Sequence, residues 1–169
     1  MEKTIKFKKN LILKRILFII ILLFTFYIIF NFSSQDGETS GNISRRVTVF
    51  VVEILSKIKT MDVSSKLYYI ERLHPIIRKL AHFSIYTVVG FSVMGFMCTF
   101  DIRNIFKVIS SIIIGVTYAI TDEIHQGFTP GRAPSVTDVC IDSMGVLTGI
   151  FILITLIVFV ESIVNWLKR

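Results

Sequence analysis

Residues 118–142 read YAITDEIHQGFTPGRAPSVTDVCID, and they place acids, a histidine and an arginine where an apolar chain least favours them. One apolar segment runs into this stretch and another runs out of it, so its polar residues sit at the tip of a hairpin between two expected membrane helices. Asp122 and Glu123 fall at the carboxyl end of the first helix, where the macrodipole is negative and acids are disfavoured. Asp122 and Gln126, four residues apart, share a face with Tyr118 if helical geometry persists that far. Thr129-Pro130-Gly131-Arg132 suits a type II turn, with proline fixing one φ and glycine accepting the positive one. Ser135 then opens the next helix, and with Asp138 three positions on it forms a capping-box-like pair, so capping and chemistry are both open for these two residues. Asp142 has no such role. It lines up with Ser135, Asp138, Gly145 and Gly149 at three-to-four spacing, and an acid inside a spanning helix is costly unless it faces protein or water, which makes it a candidate site residue. The glycines of the same stripe are expected to let a neighbouring helix come close.

Composition sets the class. The chain has 169 residues, 53% hydrophobic and 18% charged, with a mean hydropathy of +0.70, far too apolar for an ordinary soluble domain. An integral membrane protein is expected. The formal net charge of +7 does not imply nucleic acid, because the lysines and arginines flank apolar spans and form no continuous basic face; membrane orientation and anionic lipid explain them. Cys98 and Cys140 fall at opposite depths of the expected topology, which argues against a disulfide between them and makes both small buried hydrophobes.

Taken in order, Lys3, Lys6, Lys8, Lys9, Lys14 and Arg15 precede the charge-free apolar and aromatic run Ile16–Phe30. No small-residue cleavage site follows, so the run reads as an uncleaved signal-anchor helix with its amino end in the cytoplasm. Spans are expected at about 11–31, 76–100, 107–123 and 136–160, with an external loop at 33–75. Within that loop VTVFVVEILSKI, residues 47–58, is too short to span and reads as an amphipathic helix lying on or dipping into the outer surface. The loop is basic, against the positive-inside tendency. Pro75 is expected in the first turn of the second span. Asp101–Lys107 belongs inside, and Lys168 and Arg169 end the chain on the cytoplasmic side, so both termini are cytoplasmic. The expected fold is all-α: a multi-pass, integral membrane four-helix bundle of the cell membrane, with an extra amphipathic helix in the first external loop and residues 1–169 forming a single domain.

Four spans in this order bring the outer helix ends to one side, and one outward-facing polar pocket follows. Lys79, His82 and Tyr86 recur at spacings of three and four and form one polar face. Lys79, His82 and Arg132 can hold a phosphate or carboxylate, Glu123 or Asp122 can act as general base, and His82 can serve as acid–base partner. Tyr86, Gln126, Ser135, Asp138 and Asp142 complete the binding set. The plainer alternative is mutual neutralisation, with Lys79 or Arg78 pairing Asp122 or Glu123 and Arg132 taking another acid. A metal could draw on His82, Asp122, Glu123, His125 and Asp138, but the familiar zinc and calcium spacings are absent, so neither metal nor cofactor is assigned. His74 and His125, taken singly, read as interfacial polar residues. Neither a phosphate-cradling glycine loop nor a nucleophile elbow occurs.

FNFSSQDGETS at 30–40, RKLAHFSIYTVVGF at 78–91 and YAITDEIHQGFTPGRAPSVTDVCIDSMGVLTG at 118–149 together resemble the VanZ-like family of small bacterial membrane proteins. The stretches that carry the resemblance make up about a third of the chain. It implies a multi-pass protein of four or so helices, some relatives being linked to reduced sensitivity to teicoplanin, and it points to Lys79, His82, Tyr86, Asp122, Glu123, Gln126, Arg132, Ser135 and Asp138. Asp142 stands where many relatives carry asparagine, adding a negative charge to the pocket. The expected function is binding of an anionic membrane lipid or lipid-linked cell-wall precursor, with modification of it in the enzymatic version. A non-enzymatic protein that shields an envelope target is the rival. A transporter fits less well, since the acids cluster at the outer side and do not mark a path through the midplane.

Overall fold

The computed structural model describes residues 2–168, with side chains from Lys9 onward. The side chains of Lys3, Lys6 and Lys8, and Arg169 entirely, on which the expected orientation leans, lie outside the described residues. Five helices follow in order: α1 (Glu2–Ser33), α2 (Gly37–Ile58), α3 (Val63–Met97), α4 (Asn104–Gln126) and α5 (Val136–Leu167). No strand occurs among the described residues. Lys9–Ser33 of α1, together with α3, α4 and α5, give four helices long and apolar enough to cross a membrane, as a hydrocarbon core of about 30 Å demands. The chain is an all-helical, multi-pass membrane protein.

The most extensive packing is between α3 and α5, with α1, α2 and α4 each laid against α3. Small residues make this possible. A Cβ on Gly149 would collide with the carbonyl of Thr87, one on Gly145 with that of Phe83, and one on Gly90 with that of Val146. The backbones of the two helices therefore touch, the route by which helices associate where lipid is as apolar as leucine. Tyr86, Val89 and Val93 of α3, Ala119 of α4 and Val146 and Ile150 of α5 fill the core between them. Leu23, Phe24, Phe151 and Phe159 face outward at 61–69% exposure. Large apolar side chains on the outside and polar ones within invert the water-soluble pattern.

Two helix starts differ from expectation. The helix expected from Val47 begins at Gly37, because Asp36 caps it by accepting from the Thr39 N–H at 2.6 Å. The carbonyl of Pro130 also receives the Gly37 N–H at 3.0 Å. Likewise α3 begins at Val63, so Pro75 lies inside the helix and not in its first turn. An interior proline costs about 3 kcal/mol, and the residues just before it are held against α2. Arg45 pairs with Glu71 at 2.9 Å, while His74 Nε2 meets Ser44 Oγ at 2.8 Å and the Gly41 carbonyl at 3.2 Å. Cys140 is a further correction: it is exposed on α5, while Cys98 is partly buried, and both are free.

At the end of the molecule opposite the hairpin tip, Arg15 of α1 donates to Thr99 Oγ1 and to the Thr99 carbonyl, both at 3.0 Å. Its guanidinium lies 4.4 Å from the centre of the Phe100 ring. Arg15 thus satisfies a carbonyl just past the end of α3, where the helix dipole also favours a cation.

Candidate functional site

The carboxyl ends of α1 and α4, the amino end of α5 and the middle of α3 meet at one end of the bundle, and there the polar residues gather. Asp122 is the knot. It is 6% exposed and accepts from Ser33 Oγ at 2.5 Å, Tyr86 OH at 2.9 Å and Gln126 Nε2 at 3.0 Å. Three helices are joined by one carboxylate, and with three donors on it the group resembles a structural tie. Gln126 extends the network: its Oε1 accepts from Arg132 Nη1 at 3.0 Å, and Arg132 Nη2 reaches the Phe32 carbonyl at 2.9 Å.

The hairpin turn holds Arg132 in place. Gly131 adopts a φ of +74°, and the Arg132 N–H donates to the Thr129 carbonyl at 3.2 Å, the type II geometry that the Pro-Gly pair favours. Past the turn, Ser135 caps α5 by accepting from the Asp138 N–H at 3.4 Å. The Ser135 N–H in turn donates to Glu123 Oε1 at 2.6 Å. One oxygen of Glu123 therefore anchors the loop.

Around this frame lies a cavity of about 290 Å³, at the lower edge of what small-ligand sites occupy (roughly 300–1,000 Å³). Of the residues expected at a site, Lys79, His82, Glu123, Gln126, Arg132, Asp138 and Asp142 line it. Asp122, Tyr86 and Ser135 do not, the first two being buried. The ion pairs differ from the neutralisation expected between Lys79 or Arg78 and Asp122 or Glu123. Lys79 Nζ lies 3.9 Å from Asp138 Oδ1, and His82 Nδ1 lies 3.7 Å from Asp142 Oδ1. Arg132 takes no acid but an amide and a carbonyl.

Asp142 is 1% exposed, and neither of its oxygens has a hydrogen-bond partner among the described residues. A buried carboxylate held so sparely is costly unless its charge is matched. His82 is the one described group within ion-pair reach of it. Glu123, Asp138 and the His82–Asp142 pair are the carboxylates and the imidazole that line the cavity. Among the described residues no three histidine, cysteine, aspartate or glutamate side chains converge as a metal-holding group. His125 is turned away, stacked on Phe30 with ring centroids 5.1 Å apart.

Arg78 is the residue missed as a site group. It lines the polar cavity and also a second, mostly apolar cavity of about 290 Å³ between α1, α2 and α3. No acid lies within ion-pair distance of it among the described residues. The signal was present, since Arg78, His82 and Tyr86 recur every four residues on one face of α3. Burial, and next the nearby Arg78 guanidinium, pull the Arg132 pKa below the usual arginine value. Two like charges are therefore held close together.

Fold and site define a multi-pass helical membrane protein with a charged cavity at one end of its bundle. The VanZ/LLP1 family model matches residues 18–159, most of the chain, and the protein belongs to that family. No curated protein and no solved structure matches the chain.

Proposed function

We propose that this protein binds an anionic lipid head group, or a lipid-linked precursor of the cell envelope, in the polar cavity at the outer face of the cell membrane, and that it acts on the bound group chemically. The supporting observation is the cavity itself: Arg78, Lys79 and Arg132 beside Glu123, His82 and Asp142, in a chain otherwise built of apolar helices. Arginine forks suit phosphate or carboxylate oxygens. Glu123 would serve as general base and His82 as acid–base partner, with Asp142 holding the imidazole. Asp122, Tyr86 and Gln126 would position these groups, while Ser135 and Asp138 would set the α5 wall. On this reading residues 1–169 form one domain with both termini in the cytoplasm, and α2 is an amphipathic helix that rests on the outer surface. The family's link to teicoplanin fits action on the envelope.

A binding-only protein that shields an envelope target is favoured by one observation. The Asp122 carboxylate is fully engaged by Ser33, Tyr86 and Gln126, which removes one of the candidate bases. Glu123→Gln separates the two. Glutamine keeps an oxygen that can accept the Ser135 N–H, so the loop anchor survives while the base is lost. Lipid profiles of cells carrying the wild type, the variant or neither should differ only for the wild type if the protein is an enzyme. A variant that still produces the wild-type profile excludes Glu123 as the base.

A further inference from the structure

The two cavities share a wall. Arg78, His82 and Arg132 line both, so the charged chamber and the apolar groove meet at a pair of arginines. Ile29 and Phe32 of α1, Ile43 and Val47 of α2, and Ile77 and Ile85 of α3 make up the apolar part. Phe32 and Val47 are 47% and 49% exposed, so the groove opens at the side of the bundle.

Neither arginine at the junction has an ion-pair partner among the described residues, while Asp122, Glu123 and Asp36 lie near enough to act on the Arg132 charge. Arg78 has no acid within ion-pair distance among the described residues. Arg132 spends its two terminal nitrogens on Gln126 and Phe32, and its buried Nε has no hydrogen-bond partner. Two adjacent guanidiniums favour an anion with several oxygens and more than one negative charge, which describes a phosphate better than a carboxylate. Lys79 is held by Asp138, which leaves the arginines as the anion's main partners. A soluble phosphate would use the junction alone, whereas an amphiphile uses both chambers.

We propose that the ligand is a bilayer lipid with a phosphate head group, its phosphate held between Arg78 and Arg132 and one hydrocarbon chain laid in the groove walled by α1, α2 and α3. The inference rests on the anionic-lipid reading above and adds the chain's route and the role of α2. In this arrangement α2 is a wall of the binding site, and the lipid reaches it sideways from the membrane.

The test is photo-crosslinking with the full-length protein in phosphatidylcholine vesicles containing a trace of phosphatidic acid that bears a diazirine in mid-chain, the labelled peptides being mapped by mass spectrometry. Label is expected on the segments around Ile43–Val47 and Ile77–Ile85, about tenfold above that from the same probe built on phosphatidylcholine, as a preference of about 1.4 kcal/mol implies. Arg78→Gln should remove most of that excess, and Val47→Trp should drive label out of the groove. Excess label confined to the outer faces of α4 and α5 would overturn the chain's route and leave the anion site standing. Equal labelling by the two probes throughout the wild type would overturn the anionic-lipid reading and this inference with it. The wild-type comparison decides both points even if a variant fails to fold.

Discussion

At Asp122 the three donors from Ser33, Tyr86 and Gln126 set a hierarchy among substitutions. Asp122→Ala strands three buried donors and is expected to cost about 3 kcal/mol or more, since each unsatisfied group costs roughly 1–3 kcal/mol. Tyr86→Phe removes one donor and leaves the carboxylate two others, for a loss of about 1–2 kcal/mol. Melting of the purified protein in detergent should rank them in that order; equal melting points would mean that the tie is not what holds α1, α3 and α4 together. Much of this residue-scale picture was legible in the stretch quoted first. The Asp122–Gln126 contact, the Ser135 cap and the turn at Gly131 are local, and local chemistry can be read from spacing. The Ser33–Asp122 bond joins residues 89 positions apart, so nothing in the spacing of either could show it. Arg78 entered the sequence reading only as an alternative to Lys79 in pairing an acid, and only packing shows that both line the cavity and that Arg78 reaches the second one as well.

Helix pairs carry their own expectations. Gly149→Ala places a methyl group against the Thr87 carbonyl and should destabilise the bundle by roughly 1–3 kcal/mol, the usual cost of overpacking, whereas alanine at the open Gly41 meets no atom within 4 Å. Parallel thermal melts compare the two, and an equal effect at both positions would deny that α3 and α5 pack backbone to backbone. For α2 the handle is pH. The Thr39 backbone N–H holds the Asp36 carboxyl below the usual aspartate value. A carboxyl lowered on folding lends stability above its unfolded value of about 4, and that support fades as pH falls through the lowered value. Protection of the Thr39 amide, its hydrogen-exchange rate set against the intrinsic rate at the same pH, should be high at neutral pH and fall in acid below that range; protection that does not change with pH would count against the cap. The glycine stripe on α5 was visible in the sequence because three-to-four spacing is the helix period. The true start of α2 rests on the Asp36 cap and on the distant Pro130 carbonyl, and the early turns of α3 lie against α2 through Arg45 with Glu71 and Ser44 with His74, contacts that cross from one helix to the other and leave no mark in spacing.

The whole molecule has a polar network at each end and lipid-compatible flanks between. Along α1, Arg15 at one end and Ser33 at the other are about 27 Å apart at 1.5 Å per residue, close to a hydrocarbon core of about 30 Å. Consecutive spans run in opposite directions, so the order of spans in the sequence already brought the polar helix ends to one side. The apolar groove beside the charged cavity was hidden, since two of its walls, α1 and α3, individually look like ordinary lipid-facing spans and the third, α2, lies outside the four spans. On the proposed function the arginine-lined cavity holds an anionic lipid, and the lipid that accompanies the purified protein is the direct test. Mass spectrometry of lipid bound to the wild type should show anionic phospholipid enriched over the host membrane, and the Arg78→Gln, Arg132→Gln double variant should lose that enrichment. The same lipid composition on both proteins, matching the membrane they came from, would contradict it.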